Sequence, residues 1–428
     1  MFARASRQIV KASLYSTVAV SAFIYWSGPA FAQSTLTWFG NVNDRWNQTD
    51  LNWVLGGPSV AFTDGDNVIF GALPGTVTLD TDLTVGNINV WTDGFEIAAG
   101  PSATALSASG GASNIGVAQG REIEFSTPLS GAFTLTGPGT VTISSTSPML
   151  EVIANNGTFQ LTSTGTAGAG VSVAANVWAD IDGTVNSGLS STGTTLLSGM
   201  VTGGLTVTGG VTRTYTGADV EDGGSVTGGL LDVVGTTAID DNLIINGGRL
   251  EHEEAVILTA NTQLQSGGAG LGGGGTMNGF FAQSGGTTDI TGDYGVRDGV
   301  TITGGTFRHL FGHTLTSSMT VNTGGDDVRL GNNGTLSGPL DLNDGTTRVL
   351  SNFTVTGGIA VGDTGIANTD ILLLHTNGGT LNAGIVQTAG GINLGGNGTL
   401  GNTNATGNLE IQGGQTNVLG TYTVVGTA

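Results

Sequence analysis

The sequence holds no cysteine and a single lysine, Lys11, among 428 residues. Without cysteine there is no disulfide, no thiol nucleophile and no thiolate metal site. With lysine confined to position 11, the rest of the chain has neither a P-loop nor a Schiff-base amine. Eight prolines beside 77 glycines, in no strict triplet, exclude collagen. Only 10% of residues are charged while 38% are hydrophobic, which is not the composition of a disordered chain.

Positive charge is scarce, and part of it sits at the N-terminus. Arg4, Arg7 and Lys11 precede an apolar run from Leu14 to Trp26, and Ala30-Phe31-Ala32 stands before Gln33. Residues 1–32 therefore read as a secretory signal peptide. Without them, 11 − 3 = 8 arginines face 32 acids, a net charge of 8 − 32 = −24. That charge argues against nucleic acid and anionic lipid as partners. No later run approaches the ~20 apolar residues of a membrane-spanning helix.

What remains is a succession of short β-rich runs. Val68-Ile69-Phe70, Val77-Thr78-Leu79, Leu83-Thr84-Val85 and Ile88-Asn89-Val90 alternate with period two, and Gly, Asn, Asp and Thr lie between them. The runs repeat. VTGGL occurs at 201–205 and at 226–230; LGGGGT, LGNNGT and LGGNGT start at Leu271, Leu330 and Leu394. The expectation is a larger unit of about 60 residues built from coils of roughly 20 to 25. A propeller needs blades with their own signature, and a β-sandwich array needs domains near ~100 residues with spread aromatics. Stacked coils need neither, so a right-handed parallel β-helix (β-solenoid) of about 13 to 16 coils, roughly 60–80 Å long, is expected. Threonine and asparagine at the turns would form hydrogen-bonded ladders along it.

A solenoid has open ends that expose unpaired backbone. Trp38, Trp46, Trp53 and Phe62 come just before the first regular strands, where large rings would cover the first coil. A sugar-stacking platform is the alternative use. The organisation expected is a signal peptide at 1–32, a capping module with the first coils at 33–100, and parallel β-helix repeats at 101–428.

Trp38, Gly40, Asn52, Trp53, Gly65, Asp66, Val68, Phe70, Val77, Leu79, Asp93, Gly94 and Phe95 together form a pattern. It resembles the N-terminal module of autotransporter passenger domains with autotransporter-associated β-strand repeats. The likeness is specific over about sixty residues; beyond them only the style of Gly-Gly-Thr turns and short strands matches. The resemblance implies a passenger at the outer surface of a Gram-negative bacterium, adhesin-like, acting on a host or bacterial surface protein or glycan. Family members normally end in an outer-membrane β-barrel. The sequence stops in its own repeat style at Tyr422–Ala428, which leaves a truncated or fragmentary passenger, export by another route, or a translocator supplied elsewhere as the expectations, with a periplasmic location where no translocator is available.

Several groups are candidate sites. His309 and His313 stand four apart; on a strand they lie about 13 Å apart, too far to share a metal. Glu251, Glu253 and Glu254, with His252 and Arg249 beside them, form an acidic knot that would suit glycoside hydrolysis if two carboxyls faced one groove. Its bland reading is a solvated turn. Asp64-Gly65-Asp66, Asp80-Thr81-Asp82, Asp180-Ile181-Asp182, Asp240-Asp241 and Asp326-Asp327 would offer calcium some oxygen ligands, but no repeated GGxGxD motif accompanies them. Gly268–Gly273 fits GxGxxG only as glycine-rich sequences do by chance. No catalytic, cofactor or metal residue is assigned. The sequence reads as a non-enzymatic, monomeric, exported rod, with a polysaccharide-acting β-helix enzyme as the alternative.

Overall fold

The computed structural model describes residues 33–362, 371–375, 377–401 and 408–425; residues 1–32, expected to be a signal peptide, lie outside them. From Ser34 onward the chain is one compact unit, a parallel β-solenoid of about 17 turns. At about 4.8 Å per turn, this is roughly 80 Å of stack.

A typical coil carries three short strands, one per face; in some, as at Thr237–His252 and Ile257–Leu271, they run together. Gly275–Asn278, Phe281–Gln283 and Thr287–Ile290 make one coil, and Tyr294–Val296, Val300–Ile302 and Thr306–His309 make the next. They stack in parallel register, Met277 on Val296, Gln283 on Ile302 and Thr288 on Phe307. Alternate residues point inward, so Met277, Phe281, Ile290, Val296, Ile302 and Phe307 are buried while Thr276, Thr287 and Thr301 lie on the outer side. This is the period-two pattern closed into a tube.

The coil is shorter than the sequence repeats imply. On the third face Leu231 pairs with Leu250, Leu250 with Ala269, and Ala269 with Thr288, a step of 19 residues each time. The step falls to 195 − 179 = 16 where Ala179 pairs with Thr195. The two VTGGL copies are not stacked: Val201 pairs with Val220, whereas Val226 pairs with Val207. Their spacing of 25 is one 19-residue coil plus a step to the next face. The 60-residue unit is real and spans three coils, because Leu271 reaches Leu330 through Ile290 and His309.

One corner explains the recurring Gly-Gly. Gly229, Gly267, Gly286 and Gly305 turn from the second face to the third with φ between +66° and +88°, a region costly for residues with a Cβ. A Cβ on Gly286 would also sit 2.7 Å from the carbonyl oxygen of Gly267 one coil below. At other corners side chains form cross-coil ladders, as where Asn352 Nδ2 donates to Asn333 Oδ1 at 2.8 Å.

The N-terminal end is closed differently. Thr35–Trp38 pairs antiparallel with Trp53–Val54, which pairs antiparallel with Ser59–Val60. Trp38, Trp46, Trp53, Phe62 and Phe70 are all buried there. Trp53 lies 5.0 Å from Trp38 and 5.1 Å from Trp46, centroid to centroid, in edge-on contact. Asn52 is buried beside them with its amide fully used. Its Oδ1 accepts from the Val42 and Asn43 amides, and its Nδ2 donates to Asn43 Oδ1 and the Arg45 carbonyl. These rings lie inside, unavailable to a sugar.

Candidate functional site

The acidic knot is split by the corner it occupies. Glu251 and His252 end a strand, with Glu251 outward and His252 inward; Glu253 and Glu254 belong to the turn. Glu251 accepts from Arg249 Nε at 2.8 Å, while Glu253 Oε1 accepts from the Thr291 hydroxyl at 2.9 Å. With Arg213, Tyr215, Asp232 and Val234 they line a lateral depression of about 430 Å³. Arg213 is itself bound to Asp232 across the coils at 2.8 Å. These groups are held by neighbours along the wall.

Among the acidic doublets, Asp64, Asp66 and Asp82 serve corners, while Asp180, Asp240, Asp241 and Asp327 lie in strands. Asp64 Oδ1 accepts from the Thr84 amide and Asp66 Oδ1 from the Ser34 amide. Asp82 takes the Thr104 hydroxyl and the amides of Thr104 and Ala105, which hold its carboxyl below the usual range. Asp180 is shifted up instead, by burial and by the Asp182 charge. Asp327 binds Arg329 and Arg348; the Asp326 side chain lies outside the described residues. Among the described residues no three His, Asp or Glu side chains are grouped to hold a metal ion.

The histidines form a pattern that sequence reading missed. His252 pairs with Leu271, Leu271 with Ile290, His309 with Leu330, Leu330 with Val349, Val349 with His375 and His375 with Leu394. His252, His309 and His375 thus occupy one inward column at every third coil, and all are buried. One coil above each stands the last glycine of an LGxxGT segment: Gly275, Gly334 or Gly398. One coil further stands a ring: Tyr294, Phe353 or Tyr422. A Cβ on Gly275 would meet His252 Nε2 and Tyr294 Cε2, each at 3.1 Å; on Gly334 it would meet His309 Nε2 at 3.1 Å and Phe353 Cε2 at 2.9 Å. On Gly398 it would meet His375 Cε1 at 3.2 Å and Tyr422 Cε2 at 2.6 Å. The glycine makes room for a ring to reach a histidine two coils below.

The contacts set the protonation state. The Tyr294 hydroxyl donates to His252 Nδ1 at 2.6 Å, and His252 Nε2 donates to the Val256 carbonyl at 3.1 Å. His309 Nε2 donates to the His313 carbonyl at 2.9 Å, while its ring meets Phe353 edge-on at 5.2 Å. His313 thus offers its backbone to the corner. Tyr422 bonds His375 Nδ1 at 2.5 Å. Burial lowers the pKa of His252 and of His309 to about 4, and lowers that of His375 as well. Buried Gln283 and Gln387 clamp the Gly-Gly corner in the same half. Gln283 Nε2 donates to the carbonyls of Gly286 and Thr306, and Gln387 Nε2 to those of Gly390 and Gln415.

A wide concavity lies on the outside of the first face. It measures about 710 Å³ and spans four successive coils. Gly274–Thr276, Asp293–Arg297, Thr314 with Thr316–Ser318, and Ser337–Pro339 contribute one coil's share each. Its surface is mainly hydroxyl and glycine, with a carboxylate and a guanidinium from one coil. Compared with family models, curated proteins and solved structures, the chain matches none.

Proposed function

We propose that the chain is an exported, non-enzymatic β-helical scaffold of the autotransporter-passenger kind, whose side walls bind a protein or glycan of a cell surface. The observation that supports this most is the use made of its charged groups. Arg213 pairs with Asp232, Arg249 with Glu251, Arg308 with Asp289, and Arg329 and Arg348 with Asp327, so they brace the wall across and along coils. The open concavity, by contrast, is walled by threonine, serine and glycine. A wall of this kind suits binding by many weak polar contacts.

A polysaccharide-cleaving enzyme is the second reading, favoured by the depression that Glu251, Glu253 and Glu254 share with Tyr215. One experiment separates the two. The chain is expressed with an epitope tag after Gln33, and surface, periplasm and medium are fractionated. The recovered protein is then assayed for release of reducing sugar from polysaccharides. Surface or medium localisation without sugar release is the expected result. Retention in the cytoplasm would end the export reading, and sugar release abolished by Glu253→Gln would replace the scaffold by the enzyme.

A further inference from the structure

We propose that the four-coil groove on the first face binds a linear, uncharged oligosaccharide lying parallel to the solenoid axis. The assignment of a ligand rests on the reading of the rod as a binding scaffold. The groove's position rests on Gly295.

Gly295 is the central residue of the strand Tyr294–Val296, and its outward position faces the groove. Glycine inside a strand costs about 0.5–1 kcal/mol relative to alanine. At the other described glycines that lie within strands the fold demands it, by a left-handed φ or by an atom at 3.3 Å or less from where a Cβ would stand. Neither applies here. Gly295 is outside the left-handed region, and a Cβ on it would meet only Thr276 atoms, at 3.4 Å and beyond, in ordinary contact. The adjoining coils place Thr276 and Thr316 at the paired positions. The missing side chain between two threonines therefore deepens the wall without any need of the backbone. With the register unbroken at Gly295, no bulge accounts for it, and a strand glycine is then a device that lets another molecule approach closely.

The rim supplies matched donors and acceptors. Asp293 and Arg297 flank Gly295 on the same coil and both are exposed. Asp293 Oδ1 already accepts from the Thr314 amide at 2.7 Å, which fixes its carboxylate and leaves Oδ2 for a ligand. Arg297 makes none of the ion pairs found among the described residues, whereas the arginines of the third face are all paired. Thr276, Thr316, Ser318 and Ser337 add hydroxyls that both donate and accept. An acceptor, a fork of donors and a row of hydroxyls complement a chain of sugar hydroxyls. Four coils at about 4.8 Å spacing give a run of roughly 14 Å along the axis, room for several sugar units. The net charge of 8 − 32 = −24 outside residues 1–32 disfavours a polyanion.

The test is calorimetric titration of the exported full chain with neutral hexasaccharides of glucose, mannose, xylose and N-acetylglucosamine. A galacturonic acid hexasaccharide is the charged control, and each mixture is analysed for cleavage. Two variants are compared, Gly295→Val, which fills the floor, and Arg297→Ala, which removes the donor fork. Binding of one neutral sugar, weakened at least tenfold in both variants at unchanged melting temperature, is the expected outcome. Should Gly295→Val fail to fold, Arg297→Ala on the exposed rim still decides. Binding undiminished in the variants would overturn the groove and leave the scaffold reading standing. Binding of the acidic control alone, or of none of the five, would overturn the ligand class. Cleavage with binding lost in the variants would keep the groove and end the non-enzymatic reading.

Discussion

The coils before and after residue 237 fill the same tube with different chemistry. Before it, the buried polar side chains are Asn52 and small hydroxyls such as Ser113, Ser147, Thr195 and Thr212. After it, imidazoles and primary amides enter the interior at His252, Gln283, His309, His375 and Gln387. The first region is anchored by its end, where tryptophan and phenylalanine rings meet edge-on. The second is tied at intervals, each large polar group bonded to an atom of another coil or of a corner. A buried group that must meet one acceptor penalises a slipped register, since the slip would leave it unpaired. Stacked coils of similar sequence need that discrimination, and the coils after residue 237 have most of it.

Acid should separate the two regions most widely. An unperturbed imidazole titrates near ~6.5, and His252 and His309 titrate near about 4 in the fold. A lowered histidine pKa means the fold prefers the neutral ring. Its contribution is therefore complete above pH ~6.5 and is lost as the pH falls from there towards about 4. Each of the two would lose on the order of 3 kcal/mol. Tyr294, which donates to His252 Nδ1, would have to swing its hydroxyl hydrogen aside and accept instead once that nitrogen gains a proton. The first region carries carboxylates lowered by hydrogen bonds, Asp50 through Asn43 and Asn47 and Asp82 through Thr104. Their contribution is present above the ordinary value of 3.8 and is lost only below it. Hydrogen exchange between pH 7 and pH 4 is expected to open residues 250–315 first. Simultaneous opening of both regions would break the comparison.

The ring cap gives the next largest effect. Trp53→Ala removes a fully buried indole in contact with Trp38, Trp46, Phe62 and Phe70, and about 3–5 kcal/mol of stability should go with it. Trp91→Ala, at a ring that is 59% exposed, is the control and should shift denaturant midpoints little. Equal losses in the two variants would mean the cluster does not anchor the first coils.

Much of this architecture was legible from residues. Period-two runs and small turn residues gave the parallel solenoid, and the density of Trp38, Trp46 and Trp53 gave the cap, because both patterns are local. Coil length was not local. VTGGL recurs at 25 residues because similar turns serve different faces, so its spacing mixes a coil with a face. The histidine column was hidden for a related reason. His252, His309 and His375 lie 57 and 66 residues apart in sequence, and each is understood only with a glycine one coil on and a ring two coils on. The signal existed: a histidine, LGxxGT beginning 19 to 21 residues later, then Tyr or Phe 19 to 24 residues after its last glycine. The groove left a fainter trace, a Tyr-Gly-Val strand whose glycine no turn requires.

Gly334→Ala sharpens the comparison from inside the second region. The new methyl would face Phe353 Cε2 at 2.9 Å and the Phe311 carbonyl oxygen at 3.0 Å. Overpacking of this sort costs about 1–3 kcal/mol. Gly295→Ala, outside the same face, should cost nothing measurable and can gain from lost backbone freedom. Combining Gly334→Ala with Phe353→Leu should recover part of the loss, because the two changes share one contact. Additive losses in urea titrations would show that ring and glycine are not coupled.

The smallest effect belongs to the wall. Arg308 is bidentate to Asp289, with Nε at 2.5 Å and Nη2 at 2.8 Å from its oxygens, and its side chain is 41% exposed. Exposed pairs contribute about 0–1 kcal/mol even when well oriented, because water solvates both charges when they separate. Arg308→Ala should therefore move the midpoint by no more than that, and 1 M salt should erase most of the difference. The same substitution at Arg213, which pairs with Asp232 across the equivalent coils of the first region, should behave alike. The arginine pairs on the wall are alike in the two regions, so a large or salt-insensitive loss at either arginine would contradict the contrast.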